Sequence, residues 1–180
     1  MAAVKKGLGE LKEYALSDAD IRKILGDDIS IFTYPDLEHM ESIDDAFDNK
    51  GRAIMLFPNL SPTVGHWCCM LNQKKGILFW DPYGEAPEEQ KDGLSKSRLQ
   101  QLDMDQPLLM RLLRESGRPV YYNTHQYQKL KDSVATCGRW CVARCLYAPK
   151  SEEYFKKVVD ASGMEPDDFV SALTANFLKK

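Results

Sequence analysis

The chain has 180 residues, 43% of them hydrophobic and 28% charged. That suits a single domain spanning 1–180 with a sizeable core. Its net charge of -3 gives no global electrostatic case for nucleic acid or a bare anionic membrane. No apolar run reaches the ~18 residues of a membrane-spanning helix, and the opening MAAVKKGLGELKEY has no apolar core of a signal peptide.

Five cysteines is an odd count. Without a secretory signal, free thiols in a reducing compartment are expected, inside a cell or a virion. Along the chain, SDADIRKILG reads as a short helix with Ser17 as cap, Asp18 and Asp20 in its first turn, and Gly26 at its end. ISIFTY (29–34) is strand-like and stopped by Pro35. DLEHMESIDDAF (36–47) has apolar residues at helical spacing. RAIMLF (52–57) predicts a second strand, with NLSP after it as a loop.

HWCCMLN (66–72) and GILFWD (76–81) then predict a hairpin joined by QKK. A turn closing around Gln73 to Gly76 places His66 opposite residues 81–84, with Asp81 at the near edge. PYGEAPEEQKDG is a turn-rich connection, and QPLLMRLLRESG (106–117) is the clearest helix. Pro107 suits its first position, Leu108/Leu112 and Leu109/Leu113 are i,i+4 pairs, and Gly117 suits its end. PVYY (119–122) predicts a short strand, and CGRWCVARCLY (137–147) a helix ended before Pro149. SEEYFKKVVD and EPDDFVSALTANFLKK predict two more helices, the last with acidic residues at its start and Lys179–Lys180 at its end. The class is α+β, with a small, mostly antiparallel central sheet flanked by helices.

The stretch SVATCGRWCVARC places Cys137, Cys141 and Cys145 four apart, on nearly one helical face. A zinc knuckle wants CxxC spacing, which occurs nowhere in the chain. Cysteines one helical turn apart bridge poorly. Burial as small hydrophobes suits Cys68 or Cys69, Cys141 and Cys145. It suits Cys137 less well. Cys137 follows a capping candidate, Thr136, and precedes Gly138. A glycine early in a helix costs about 1 kcal/mol against alanine, so close approach of another backbone is expected there. A helix start offers unpaired N–H groups and the positive end of the dipole, which favour a thiolate and a neighbouring oxyanion.

A thiolate nucleophile needs a base, and the chain has 3 histidines. His39 falls in the amphipathic 36–47 stretch and reads as a surface residue. His125 lies in the polar YYNTHQYQ. His66 has Asp81 as its expected neighbour, held by the turn that Pro82 and Gly84 impose. That carboxylate would take the Nδ1 proton and leave Nε2 for the cysteine. A plain turn-starting aspartate is the alternative for Asp81.

The ordered set GHW (65–67), FWDPYG (79–84), a glutamine in YNTHQYQ (122–128) and TCGRWC (136–141) resembles the adenain-like cysteine proteases. That family includes the adenovirus maturation protease, enzymes of virophages, polinton-type elements and large DNA viruses, and more distantly the SUMO-specific proteases. The resemblance is strong over residues 52–147, weaker over 29–37, and absent as a motif after 150. It implies the papain-related fold of that family, with the nucleophile at a helix N-terminus. It implies Cys137 as nucleophile, His66 as general base, Asp81 as third member and Gln128 as oxyanion-hole glutamine, sharing that work with the Cys137 backbone N–H. Familiar members place that glutamine nearer the cysteine, so Gln126 stays open beside Gln128. Trp67 matches an aromatic that packs on the histidine ring, and core packing fits it equally.

The resemblance further implies thiol-dependent peptide hydrolysis without a metal or other cofactor. Its substrates would be capsid or other virion precursors, cut at Gly-Gly or Gly-x-Gly sites in a virion or infected cell by a monomer. No residue matches the peptide or DNA activators of the adenovirus enzyme. Removal of ubiquitin- or SUMO-like modifiers, or a non-catalytic virion role on the same fold, are the other readings.

Overall fold

Five strands assemble in chain order, β1 (Ser30–Thr33), β2 (Arg52–Ser61), β3 (Val64–Gln73), β4 (Gly76–Trp80) and β5 (Val120–Tyr122). The computed structural model describes residues 2–131 and 133–178. β2, β3 and β4 run antiparallel to one another, and β1 and β5 join as parallel edges. Because side chains alternate across a strand, the sheet feeds two cores. Ile54, Cys69, Leu78 and Trp80 enter one. Met55, Cys68, Met70 and Phe79 enter the other.

Helices α2 (Asp18–Leu25), α5 (Cys137–Leu146), α6 (Glu152–Ala161) and α7 (Pro166–Leu178) supply Ile21, Trp140, Phe155 and Val170 to the first core. Helix α4 (Leu108–Glu115) supplies Leu109 and Leu112 to the second. Further helices α1 (Ala2–Glu13) and α3 (Lys96–Gln101) had no counterpart in the sequence reading. The architecture is α+β, a central sheet flanked by helices. No helix among the described residues is long and apolar enough to cross a membrane.

The β3–β4 register follows the turn. Gln73 pairs Gly76, Met70 pairs Phe79, and Cys69 pairs Trp80. Carried past the strand end, that register sets Cys68 across from Asp81 and Tyr83 across from His66, inside the expected window. The cap of α2 is also as expected: Ser17 and Asp20 form a reciprocal capping box, and Gly26 ends the helix.

Four local expectations are corrected. The 36–47 stretch is not one helix but two 3-10 turns, Tyr34–His39 and Ile43–Ala46. Asp36 takes the Thr33 N–H and hydroxyl, Asp45 takes the Glu41 and Ser42 N–H groups, and Ser42 takes the Asp44 N–H. Those short side chains compete with helical bonds. The first strand stops at Thr33, because Tyr34 joins the first 3-10 turn. β2 runs on to Ser61 with an irregularity between Pro58 and Ser61. β1 pairs no further than Leu56, so Pro58 removes no donor from that side. Pro107 precedes α4 instead of opening it. The first N–H of that helix, at Leu108, goes to the Tyr34 hydroxyl at 2.8 Å. The lysines assigned to the end of the last helix, Lys179 and Lys180, lie outside the described residues.

Candidate active site

Cys137 opens α5, with its first-turn N–H groups free of intrahelical partners. The Trp67 and Gly138 backbone N–H groups hydrogen-bond its sulfur. Thr136 does not cap the helix; its hydroxyl donates instead to Asp167 Oδ1 at 2.6 Å. Gly138 is explained by side chains, not by another backbone. A Cβ there would lie 3.2 Å from Leu16 Cβ and 3.2 Å from Trp67 Cδ1. Gly65, just before His66, has a backbone neighbour: a Cβ there would fall 1.9 Å from the Phe57 carbonyl oxygen. The two glycines let β2, β3 and α5 close around His66 and Cys137.

His66 and Asp81 meet as the hairpin requires, His66 Nε2 lying 3.1 Å from Asp81 Oδ1. This reverses the expected ring assignment. Nε2 faces the carboxylate, which leaves Nδ1 for the Cys137 thiol. The ring stacked on His66 is Tyr83, at 4.7 Å and 16°, whereas Trp67 packs against Gly138.

Asp81 is fully buried and held from all sides. Oδ1 also accepts from the Tyr83 N–H at 2.6 Å. Oδ2 accepts from Gln90 Nε2 at 2.6 Å and from the Cys68 thiol at 3.3 Å. Asn123 brackets the Asp81 backbone, accepting its N–H at 2.9 Å and donating to its carbonyl at 2.7 Å. Of these partners, Cys68 and Tyr83 carried a sequence signal, Cys68 two residues from His66 on the same strand face and Tyr83 within the window the hairpin turn sets. Gln90 comes from a 3-10 turn (Glu89–Lys91) and Asn123 from the irregular segment after β5, whose geometry no periodicity encodes.

Gln128 is 2% exposed. Its backbone N–H bonds the Pro82 carbonyl at 3.0 Å, next to Asp81, and its Nε2 donates to the Val134 carbonyl at 3.2 Å. An amide carries two N–H donors, of which this bond uses one, and the Gln128 Oε1 is buried without a partner. Gln126 is exposed, and its Nε2 donates to the Gln128 carbonyl at 2.9 Å. An aromatic cluster fixes these elements together. Trp80 precedes Asp81, Tyr127 precedes Gln128, and Trp140 stands one turn beyond Cys137. Tyr127 lies 5.2 Å from Trp80 and 5.1 Å from Trp140 between ring centroids. Glu152 accepts from Trp80 Nε1 at 2.8 Å and from the Tyr127 hydroxyl at 2.6 Å.

The electrostatics separate the five thiols. Burial pushes the Cys137 thiol up, but the hydrogen bond and charge of His66, with the two backbone N–H groups, outweigh it and hold the thiol below its ordinary range. Burial disfavours a charged His66, yet its hydrogen bonds to Asp81 and Cys137 and their charges win and raise its pKa. Burial also opposes Asp81, and the His66 bond and charge outweigh it to hold that carboxyl low. The arrangement favours a thiolate–imidazolium pair. Burial and the Asp81 charge raise Cys68, burial and Cys141 raise Cys69, and burial lifts Cys141 to about 12. Cys145 is raised first by its bond with Cys69 and then by burial.

His39 and His125 are both exposed, and His125 meets the site's frame only through the Tyr127 ring at 4.6 Å and the Asn123 amide, which donates to its carbonyl at 3.2 Å. The ligand atoms of His66, Cys68 and Asp81 lie within 4.8 Å of one another, the spacing a metal would need. The same three side chains are joined by the hydrogen bonds above.

No protein-family model matches the chain. It is 34% identical over 173 residues to a Sputnik virophage protein named "Uncharacterized protein V9", a match covering 92% of this chain and 98% of that one.

Proposed function

We propose, from the premise that the chain belongs to the family of virophage protein V9, that this viral protein is a cysteine endopeptidase of the adenain-like kind. Its substrates are capsid or other virion precursors, cut at small-residue, glycine-rich sites inside the virion or the infected cell. One observation carries the reading: among the described residues, the only thiol held below its ordinary range is the one at a helix start, beside a His–Asp pair.

The Cys137 thiolate attacks the scissile carbonyl carbon. The electrons move onto oxygen, which takes the Cys137 backbone N–H and the spare Gln128 Nε2–H. His66, protonated at Nδ1, gives that proton to the leaving amine as the C–N bond breaks. Asp81 accepts from Nε2–H throughout, keeping the ring charged and turned toward the sulfur. A water then attacks the thioester, His66 takes its proton, and the thiolate and a carboxylic acid are released.

The test is cleavage of a recombinant capsid precursor with glycine-rich junctions, run beside a ubiquitin-like modifier conjugate. The expected outcome is cleavage of the precursor, abolished by Cys137→Ala with a loss of about 10⁴-fold or more. Cleavage that survives the substitution would overturn the reading, and cleavage of the conjugate alone would reassign the substrate.

A further inference from the structure

Gln128 and Cys137 supply the proposed oxyanion donors, and one buried carboxylate from a distant part of the chain bridges the two segments that carry them. Asp167 lies in the first turn of α7 and is 3% exposed. Its Oδ1 accepts from Thr136 Oγ1 at 2.6 Å and from Trp140 Nε1 at 3.0 Å. Its Oδ2 accepts from the Lys129 backbone N–H at 3.0 Å. Thr136 immediately precedes Cys137, and Lys129 immediately follows Gln128. Trp140 is on the nucleophile's own helix and is fully buried.

A carboxylate with three donors at a helix N-terminus is well compensated for burial. Stability alone does not call for two of its three partners, Thr136 and Lys129, to adjoin Cys137 and Gln128. An oxyanion hole does: its donors must converge on one oxygen at about 2.7–3.1 Å, and a shift near 1 Å costs about 10²-fold in rate. We infer that Asp167 is a positioning residue that fixes the spacing between the Gln128 amide and the Cys137 backbone N–H, so that both reach the same oxygen. The inference rests on the peptidase reading. Asparagine cannot replace Asp167, because its NH₂ group turns a donor toward Lys129 N–H or toward Thr136 and Trp140.

Two reagents separate positioning from general support. Iodoacetamide alkylates sulfur by displacement at a saturated carbon, so its rate reads the thiolate and needs no oxyanion hole. p-Nitrophenyl acetate acylates it: an S–C bond forms at the carbonyl carbon, its oxygen becomes an oxyanion, and p-nitrophenolate leaves. Both rates are measured at Cys137 by mass spectrometry on the full chain, for wild type, Asp167→Asn and Thr136→Val.

For Asp167→Asn, acylation should fall about tenfold or more while alkylation stays within about threefold, a change too small to reflect loss of the thiolate. Thr136→Val removes one of the three bonds and should fall less, in the same direction. Unchanged acylation overturns the inference, as does an equal fall in both rates, which would mark Asp167 as structural support only. Should Asp167→Asn not fold, Thr136→Val decides by the same two rates. If wild-type Cys137 reacts no faster than the other four thiols with either reagent, the peptidase reading itself fails and this inference with it.

Discussion

Cys137 and Cys141 stand one turn apart on α5, at 9% and 0% exposure, yet their thiols move in opposite directions. Burial pushes both up. At Cys137 it is outweighed by an imidazole and two backbone N–H groups. At Cys141 the hydrogen bond from Cys69 lowers the thiol, but too little to offset burial. Cys141 itself donates to the Trp67 carbonyl at 3.2 Å, so Trp67 presents its N–H to one cysteine and its C=O to the next. His66 chiefly divides these two chemically identical side chains, and the Trp67 N–H adds to it at Cys137. A cysteine stripe is a matter of helical spacing. Reactivity is a matter of which charged partner and which backbone dipoles each sulfur meets.

Three substitutions probe that division, in descending order of effect. His66→Ala removes the group that most lowers the Cys137 thiol, so burial prevails and Cys137 becomes like Cys141. Cleavage should fall by about 10²–10⁴-fold, and alkylation of Cys137 near neutral pH should fall with it. Retained alkylation would show that the N–H groups alone hold the thiolate.

Gly138→Ala forces a methyl group against Leu16 and Trp67. Overpacking of this kind costs about 1–3 kcal/mol, against a gain of about 1 kcal/mol in helix propensity. The melting temperature should drop by a few degrees. Trp67 should also move and disturb the N–H that faces the sulfur, so Cys137 alkylation should slow. A melt unchanged or raised would show that Leu16 and Trp67 yield freely.

Cys141→Ala should have the smallest effect, a loss of about 1 kcal/mol from the removed sulfur with cleavage unchanged. A large loss of activity with a normal melt would place Cys141 in the chemistry and erase the distinction.

The hairpin was the most legible part of the site. Turn length alone set the register, and the register put His66 within reach of Asp81. The helix start at Cys137 was also legible, because glycine after cysteine there had no helical justification. The ring assignment was not: whether Nδ1 or Nε2 meets Asp81 depends on the side-chain rotation of His66, which stacking on Tyr83 accompanies. The 36–47 stretch misled because apolar spacing took no account of Asp36, Ser42 and Asp45 bonding the local backbone. Asp167 left no trace as a site residue, since EPDD reads equally well as ordinary acidic residues at a helix start. Its partners are 27 to 38 residues away in the chain.

The central claim is that Cys137 is a preformed thiolate paired with an imidazolium. The direct test is the pH dependence of iodoacetamide alkylation at each of the five cysteines, followed by mass spectrometry. Exposure alone would let Cys137 react first, so the rate at one pH is not decisive; the profile is. A lowered thiol and a raised imidazole put the ion pair above the Cys137 pKa and below the His66 pKa. Cys137 alkylation should therefore begin well below the ordinary thiol pKa of about 8.5 and hold a plateau through neutrality. The other four should react only at alkaline pH or on unfolding. A Cys137 profile that rises only around or above the ordinary thiol value would contradict the account.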